Sequence, residues 1–171
     1  IGKTSVTLRG NSGNDTLIGS EYNDALLGDA GNDTIDGRAG NDKLSGAAGR
    51  DLLIGGDGND RLRGQGASYD TLIGGLGDDT LDGGAGTDIV MESGDVDFTL
   101  TASSLTGRGT DTILRIECAH LIGGDGDNVI DISSFVATYP PTLDGGAGND
   151  QLIGSSFMDL LRGQDGNDTL I

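Results

Sequence analysis

GDAGNDTIDGRAGNDKLSG, residues 28–46, contains one nine-residue phrase twice, each time with Gly-Asn-Asp before a short apolar tip. The register runs in nines from Gly10 to Met91, apart from the ten-residue unit GQGASYDTLI, and returns over 145–171. Aspartate occupies the sixth position of every unit: Asp15, Asp24, Asp33, Asp42, Asp51, Asp60, Asp70, Asp79, Asp88, Asp150, Asp159 and Asp168. A fixed period of this kind predicts a repeat architecture.

The residue type at each position of the unit has a physical explanation. Glycine at the first and fourth positions, and often the second, allows backbone conformations that a Cβ makes costly. Asparagine at the fifth position, as in Asn14, Asn32, Asn41 and Asn59, tolerates a left-handed conformation, so the first six residues predict a tight turn. The last three residues alternate polar–apolar–polar, which indicates a minimal strand with one buried side chain. Two units then close one coil of the chain, and stacked coils predict an all-β solenoid of parallel sheets.

Composition excludes several classes of function. The chain has 33 glycines among 171 residues and a formal charge of −18. This acidity argues against nucleic acid and anionic membrane surfaces as partners, and it favours cations or basic surfaces. No apolar run approaches the length of about 18 residues that a membrane span needs. A single cysteine excludes an internal disulfide. The repeat runs to both ends of the sequence, so we expect a fragment of a longer protein.

The column of aspartates points to metal. Carboxylates one coil apart would lie about 4.8 Å from each other and repel. An isolated Asp often caps its own turn, but capping leaves this repulsion unexplained. Calcium, with oxygen ligands at about 2.3–2.6 Å, fits between stacked carboxylates, whereas Mg²⁺ demands tighter geometry and Zn²⁺ prefers His and Cys. With one aliphatic side chain per unit the core is thin, so we expect disorder without calcium and folding with it.

The units GGDGNDRLR and GGAGNDQLI match GGxGxDxUx at every fixed position and strongly resemble the repeats-in-toxin (RTX) family. The resemblance covers about two-thirds of the chain. It implies a right-handed parallel β-roll with Ca²⁺ bound between coils on both edges. It also implies a secreted bacterial protein, exported unfolded by type I machinery and folded by extracellular calcium.

The resemblance further implies six-ligand sites made by two repeats, in which the earlier repeat gives carbonyls two and four, the later gives carbonyls one and three, and each gives its Asp. On this sequence the sets are Asn11, Gly13, Asp15 with Gly28, Ala30, Asp33; Ser20, Tyr22, Asp24 with Gly37, Ala39, Asp42; Asp29, Gly31, Asp33 with Gly46, Ala48, Asp51; Arg38, Gly40, Asp42 with Gly55, Asp57, Asp60; Gly56, Gly58, Asp60 with Gly74, Leu76, Asp79; Asp70 with Gly83, Ala85, Asp88; and Gly146, Gly148, Asp150 with Gly163, Asp165, Asp168. Asp111 and Asp159 are further candidate ligands. We expect roughly seven to ten ions.

Some units depart from the motif. Tyr22 and Phe157 replace the fourth glycine, which predicts weak or strained sites at Asp24 and Asp159. The extra residue in GQGASYDTLI leaves the carbonyl partners of Asp70 open.

The middle of the chain predicts a three-part organisation: an N-terminal repeat block over 1–91, a degenerate solenoid interlude over 92–144 and a C-terminal block over 145–171. The interlude alternates apolar and polar residues and retains TGRGTDTIL around Asp111, while Asn128 takes a sixth position in GGDGDNVID. A separate small domain is the alternative for this segment.

No segment predicts catalysis. Cys118 and His120 share a strand face, but a buried thiol beside a half-exposed histidine explains them without a third orienting group. A glycosidase carboxylate pair is disfavoured because the column aspartates already have a metal to bind. Ice binding would need a regular Thr ladder, which the seventh position lacks.

The sequence therefore predicts a non-enzymatic, calcium-binding folding module and scaffold of a secreted or surface protein, attached to flanking domains. A stalk of a surface adhesin and an accessory module of an extracellular enzyme are the alternatives.

Overall fold

The computed structural model describes residues 4–171, except for the side chain of Ala67. Its strands are β1 Thr7–Ser12, β2 Thr16–Ile18, β3 Ala25–Ala30, β4 Thr34–Ala39, β5 Lys43–Ala48, β6 Leu52–Asp57, β7 Arg61–Ser68, β8 Thr71–Leu76, β9 Thr80–Gly86, β10 Ile89–Ser93, β11 Phe98–Thr101, β12 Ser104–Thr106, β13 Thr110–Leu114, β14 Cys118–Ile122, β15 Val129–Ser134, β16 Thr142–Ala147, β17 Gln151–Ile153, β18 Leu160–Asp165 and β19 Thr169–Leu170. The described residues contain no helix, and hence no helix long and apolar enough to cross a membrane.

Successive strands alternate between two sheets, which together form a β-solenoid of about nine turns. The larger sheet has the order β1-β3-β5-β7-β9-β13-β12-β11-β15-β17-β19, and the smaller β18-β16-β14-β10-β8-β6-β4-β2. In the regular part the pairing is parallel with an offset of 18 residues, as in Thr34 with Leu52 and Ile35 with Leu53. The predicted all-β solenoid with two nonapeptides per coil is confirmed.

The strands are longer than the sequence predicts. β4 contains the last three residues of one unit and the first three of the next, so Thr34–Ala39 is six residues long. The expectation of a six-residue turn is therefore wrong, and the change of direction is confined to positions four to six. In β3, Asp29 and Ala30 at positions two and three pair with β1 on one side and with β5 on the other, which stabilises this part of the unit as strand.

The core of the regular repeats consists of two ladders of aliphatic side chains from the eighth position, one ladder from each sheet. These residues are Leu17, Leu26, Ile35, Leu44, Leu53, Leu62, Leu72, Leu81 and Val90. Larger side chains join this core in the middle of the chain, where Phe98 and Phe135 are buried.

The middle segment departs from an all-parallel arrangement. Strand β13, which pairs with β9 in parallel, also pairs with β12 in antiparallel fashion, and β12 does the same with β11. Three strands thus occupy the larger sheet where a regular coil would place one. Strand β10 pairs with β14 along its whole length but with β8, on its other side, at only two residues.

Candidate metal sites

The turns obtain their shape from positions two and four. Glycine at position four has positive φ throughout the regular units, as in Gly31 at 134° and Gly58 at 131°. Position two is also left-handed, even where it is Asp29 or Arg38. The expectation that position-five asparagines are left-handed is wrong, because Asn14, Asn32, Asn41 and Asn59 are not among the described residues with positive φ.

Those asparagines instead link neighbouring coils. The main-chain N–H of Asn32 donates to Oδ1 of Asn14 at 2.8 Å, and the N–H of Arg50 donates to Oδ1 of Asn32 at 2.9 Å. Asn59 accepts in the same way from the N–H of Asp78. The side-chain oxygen of an asparagine at this position therefore accepts a hydrogen bond from a main-chain N–H of the following coil.

Glycine is required at position one because there is no room for a Cβ, and not because of its φ angle. A Cβ built on Gly10 would lie 2.6 Å from Oδ2 of Asp15 and 2.7 Å from the carbonyl oxygen of Gly28. The corresponding Cβ on Gly55 would meet Oδ2 of Asp60 and would lie 2.6 Å from the carbonyl oxygen of Gly74. Each such glycine therefore opens a cradle in which a carboxylate oxygen and a carbonyl oxygen from the next coil converge.

The column aspartates use one oxygen to join the coils. Oδ1 of Asp33 accepts the N–H of Asp15 at 2.8 Å, and Oδ1 of Asp60 accepts the N–H of Asp42 at 2.7 Å. The same bond joins Asp24 to Asp42, Asp33 to Asp51, Asp51 to Asp70, Asp60 to Asp79, Asp70 to Asp88, Asp79 to Asp111, and Asp150 to Asp168. The sequence predicts these pairs except for Asp79 with Asp111, which lie 32 residues apart.

The second oxygen of the same carboxylates has no hydrogen-bond donor among the described residues. This holds for the buried Oδ2 of Asp15, Asp33, Asp42, Asp51, Asp60, Asp70, Asp79, Asp88 and Asp150. A buried anionic oxygen without a partner is costly, so the identical orientation of nine such atoms calls for a cation. These residues therefore fit a resident metal ion.

Burial also makes six of the nine carboxylates harder to ionise, namely Asp42, Asp51, Asp60, Asp70, Asp79 and Asp88. It raises the pKa of Asp60 to about 7, although the hydrogen bond from the Asp42 N–H opposes this rise; the charges of Asp79 and Asp42 add to it. For the same leading reason the pKa rises to about 6 in Asp42, Asp51, Asp88 and Asp111. A nearby cation would reverse this shift because it favours the charged form.

The units with an aromatic fourth position are built differently. The Ser20 N–H donates to Oδ2 of Asp24 at 2.5 Å, and the Ser20 hydroxyl donates to Oδ1 at 3.1 Å. Burial raises the pKa of Asp24, but hydrogen bonds from Val6 and Ser20 outweigh it and leave the pKa lowered. Ser155 binds Asp159 in the same way. These two carboxylates are already partnered within their own turns, in the manner of a cap.

The ten-residue unit retains its place in the stack. Its extra residue is accommodated in β7 by a register shift between Gln65 and Ala67. Gly64 still opens a cradle toward Oδ2 of Asp70 and, at 2.6 Å, the carbonyl oxygen of Gly83. The expected carbonyl from Gly83 thus lies beside Asp70.

The interlude contributes residues that the spacing does not reveal. Oε2 of Glu117 accepts the N–H of Asp88 at 2.9 Å, which places Glu117 next in that column. A Cβ on Gly83 would meet the Arg115 carbonyl oxygen and would lie 2.6 Å from Oδ2 of Asp88. On the other edge, the Asn128 N–H donates to Oδ1 of Asp150 at 2.8 Å. Glu117 follows Asp88 by 29 residues, so no nonapeptide count could find it.

The donor set consists of oxygen atoms. Within residues 4–171 no three His, Cys, Asp or Glu side chains are grouped so that they could hold an ion by themselves, so main-chain carbonyls must complete any site. The carbonyl oxygens that converge with an Oδ2 belong to Gly28, Gly37, Gly46, Gly55, Gly74, Gly83, Arg115 and Gly163. The other carbonyls of the expected ligand sets stay predictions. Hard oxygen ligands of this kind suit Ca²⁺.

Cys118 has no catalytic surroundings. It is 7% exposed, its Sγ lies 3.3 Å from the carbonyl oxygen of Pro140, and burial raises the pKa of its thiol. A raised pKa disfavours the thiolate, which is the nucleophilic form.

Comparison with protein families agrees with this chemistry. The model for the RTX calcium-binding nonapeptide repeat matches four segments, 9–44, 36–68, 66–90 and 144–171. The matched segments contain every unpartnered carboxylate oxygen described above. A comparison with curated proteins found no matching relative.

Proposed function

Because the chain belongs to the family of RTX calcium-binding nonapeptide repeats, we propose that it is a module that folds when calcium fills the cradles along both edges of its solenoid. The supporting observation is the set of nine buried, unpartnered Oδ2 atoms, each aimed at the same place in its repeat. Bound calcium supplies divalent positive charge that offsets repulsion between stacked carboxylates. The aspartates, position-one glycines and carbonyls of this chain position that charge.

Folding and binding are coupled in this proposal. The described repeats bury one aliphatic side chain per unit, and the negative charge of the chain opposes compaction. Seven divalent ions between Asp15 and Asp88 would bring about +14 against the formal −18. The binding free energy of the ions then becomes part of the free energy of folding.

We further propose that the module works outside the cell as a non-enzymatic scaffold. RTX repeats are typical of secreted proteins. A chain that stays unfolded at the low calcium of the cytoplasm and folds at the higher calcium outside suits export in an extended form. Its partners would be calcium and the flanking domains of a larger protein, with neither nucleic acid nor an inserted membrane segment.

Far-UV circular dichroism tests the proposal. The chain is first freed of metal with EDTA and then titrated with CaCl₂, with MgCl₂ as a control. We expect a coil-to-β transition with calcium, steep in concentration, and none with magnesium at equal concentrations. Full β signal in EDTA, or an equal response to both ions, would overturn the proposal.

A further inference from the structure

Glu92 occupies a position that belongs to glycine in every regular repeat. Strands β8 and β10 pair Thr71 with Ile89 and Val90 with Leu72, so Glu92 follows in the coil after Gly74 at the same position. Gly74 itself is the first residue of its unit. Only 2% of Glu92 is exposed, so its carboxylate is directed into the protein.

This carboxylate replaces one oxygen of the regular cradle. In the regular coils, the cradle of a position-one glycine joins an aspartate Oδ2 to the carbonyl oxygen of the next position-one residue, as with Asp15 and Gly28. At Gly74 the oxygens nearest to a built Cβ are Oδ2 of Asp79 at 2.5 Å and Oε1 of Glu92 at 3.3 Å. The side chain of Glu92 thus stands where other cradles have a carbonyl oxygen.

A second feature marks the same place as a ligand site. Oδ2 of Asp79 has no donor among the described residues, and Asp79 is 2% exposed. Oδ1 of Asp111 accepts the Asp79 N–H at 3.0 Å, which is the relation of the later aspartate in each regular pair. The carboxylates of Asp79 and Glu92 therefore border this cradle, and Asp111 is joined to it through the Asp79 N–H.

We propose that Glu92 is a side-chain calcium ligand that replaces the position-one carbonyl oxygen between Asp79 and Asp111. This inference rests on the proposed function, since it takes the regular cradles as calcium sites. It gives the last cradle of this edge before the interlude three carboxylates, where a regular site has two. Calcium affinity rises with the charge of the ligand set, so this site binds tightest and fills first.

Glu92 could have a simpler role, as the acceptor for one main-chain N–H, and the same experiment tests it. Its Oε1 accepts the Gly75 N–H at 2.9 Å, where β10 has left β8, so the side chain also satisfies a main-chain donor. A glutamine keeps a carbonyl oxygen for that bond but lacks the charge. Glu92→Gln therefore distinguishes a side chain that only accepts the Gly75 N–H from one that also binds calcium.

The experiment measures calcium binding to the full chain by isothermal titration calorimetry, for Glu92→Gln and for Glu21→Gln as a control at an exposed position. We expect the tightest binding step to weaken by on the order of tenfold or more in Glu92→Gln alone. Circular dichroism at saturating calcium checks that both variants fold. Isotherms that coincide for the two variants would reduce Glu92 to a cap and overturn the assignment.

Glu92→Gly provides the second arm, because it restores the residue of the regular repeat. Under the proposal this variant also loses affinity at the tightest step. If it binds one ion more than the unaltered chain, the glutamate fills the cradle in place of an ion, and the assignment is overturned. An unaltered chain that binds no calcium would instead remove the proposed function itself.

Discussion

The main-chain N–H of Asp42 donates to Oδ1 of Asp60 at 2.7 Å, while Oδ2 of Asp60 has no donor among the described residues. One carboxylate thus does two things, since one oxygen holds the coils in register and the other is available to an ion. This division recurs along both edges of the solenoid. Replacing such an aspartate can therefore separate structure from binding.

Asp60→Asn should impair two neighbouring sites, because Asp60 is paired with Asp42 on one side and with Asp79 on the other. The asparagine oxygen can still accept the Asp42 N–H, so the coil register is kept. We expect the calcium midpoint of folding, followed by circular dichroism, to rise by on the order of tenfold. Glu21→Gln removes the same charge at an exposed side chain that belongs to no expected ligand set, and is the control. Equal shifts in both variants would show that net charge, and not ligation, sets the midpoint.

Gly55→Ala tests the cradle by filling it. The added Cβ would meet Oδ2 of Asp60 and approach the Gly74 carbonyl oxygen to 2.6 Å. We expect a loss of one ion, and a calcium-loaded form destabilised by about 1–3 kcal/mol in urea unfolding. Gly94→Ala is a matched control, because its Cβ would meet only side-chain atoms at 3.6 Å or more. If Gly55→Ala bound the full number of ions, the cradle would not be the site.

The sequence predicts the regular part of the molecule well because every coil has the same residue types at the same positions. The glycines, the column aspartates and the eighth-position aliphatics lie where the period of nine puts them. Hydrogen bonds to the next coil are harder to predict from the sequence. Asparagine at position five suggests a left-handed residue when one unit is considered alone, whereas its side chain binds the N–H of the following coil.

Glu117 is outside the reach of any periodic count, because it follows Asp88 by 29 residues. Its place depends on how β11, β12 and β13 occupy the larger sheet before the chain returns to the smaller one, and this path brings its carboxylate to the N–H of Asp88. Glu92 differs, because the period of nine places it at position one of the coil after Gly74. What the count does not show is that its side chain is buried and lies beside the Gly74 cradle.

The calcium dependence should change with pH in a defined direction. Burial raises the pKa of Asp60 to about 7 and that of Asp42 to about 6 in the metal-free fold, above the ordinary value of the unfolded chain. Such groups bind more protons when folded, so their contribution to stability is present at low pH and is lost as the pH rises through about 6–7. We expect more β signal at pH 5 than at pH 8 in samples freed of calcium with a chelating resin.

A metal-free chain that is less ordered at pH 5 than at pH 8 would contradict the raised pKa values.

Cys118 reports whether the interlude folds together with the repeats. Its thiol is buried, and burial raises its pKa, so reaction with a thiol reagent requires the segment to open. It lies in β14, which is between β10 and β16 in the smaller sheet. On its other side β10 is next to β8, which belongs to the N-terminal repeat block. We expect labelling at least about 100-fold slower in calcium than in EDTA. Asp60→Asn should speed the labelling at intermediate calcium, whereas Glu21→Gln should not. Fast labelling in saturating calcium would mean that the interlude opens independently of the repeats that flank it.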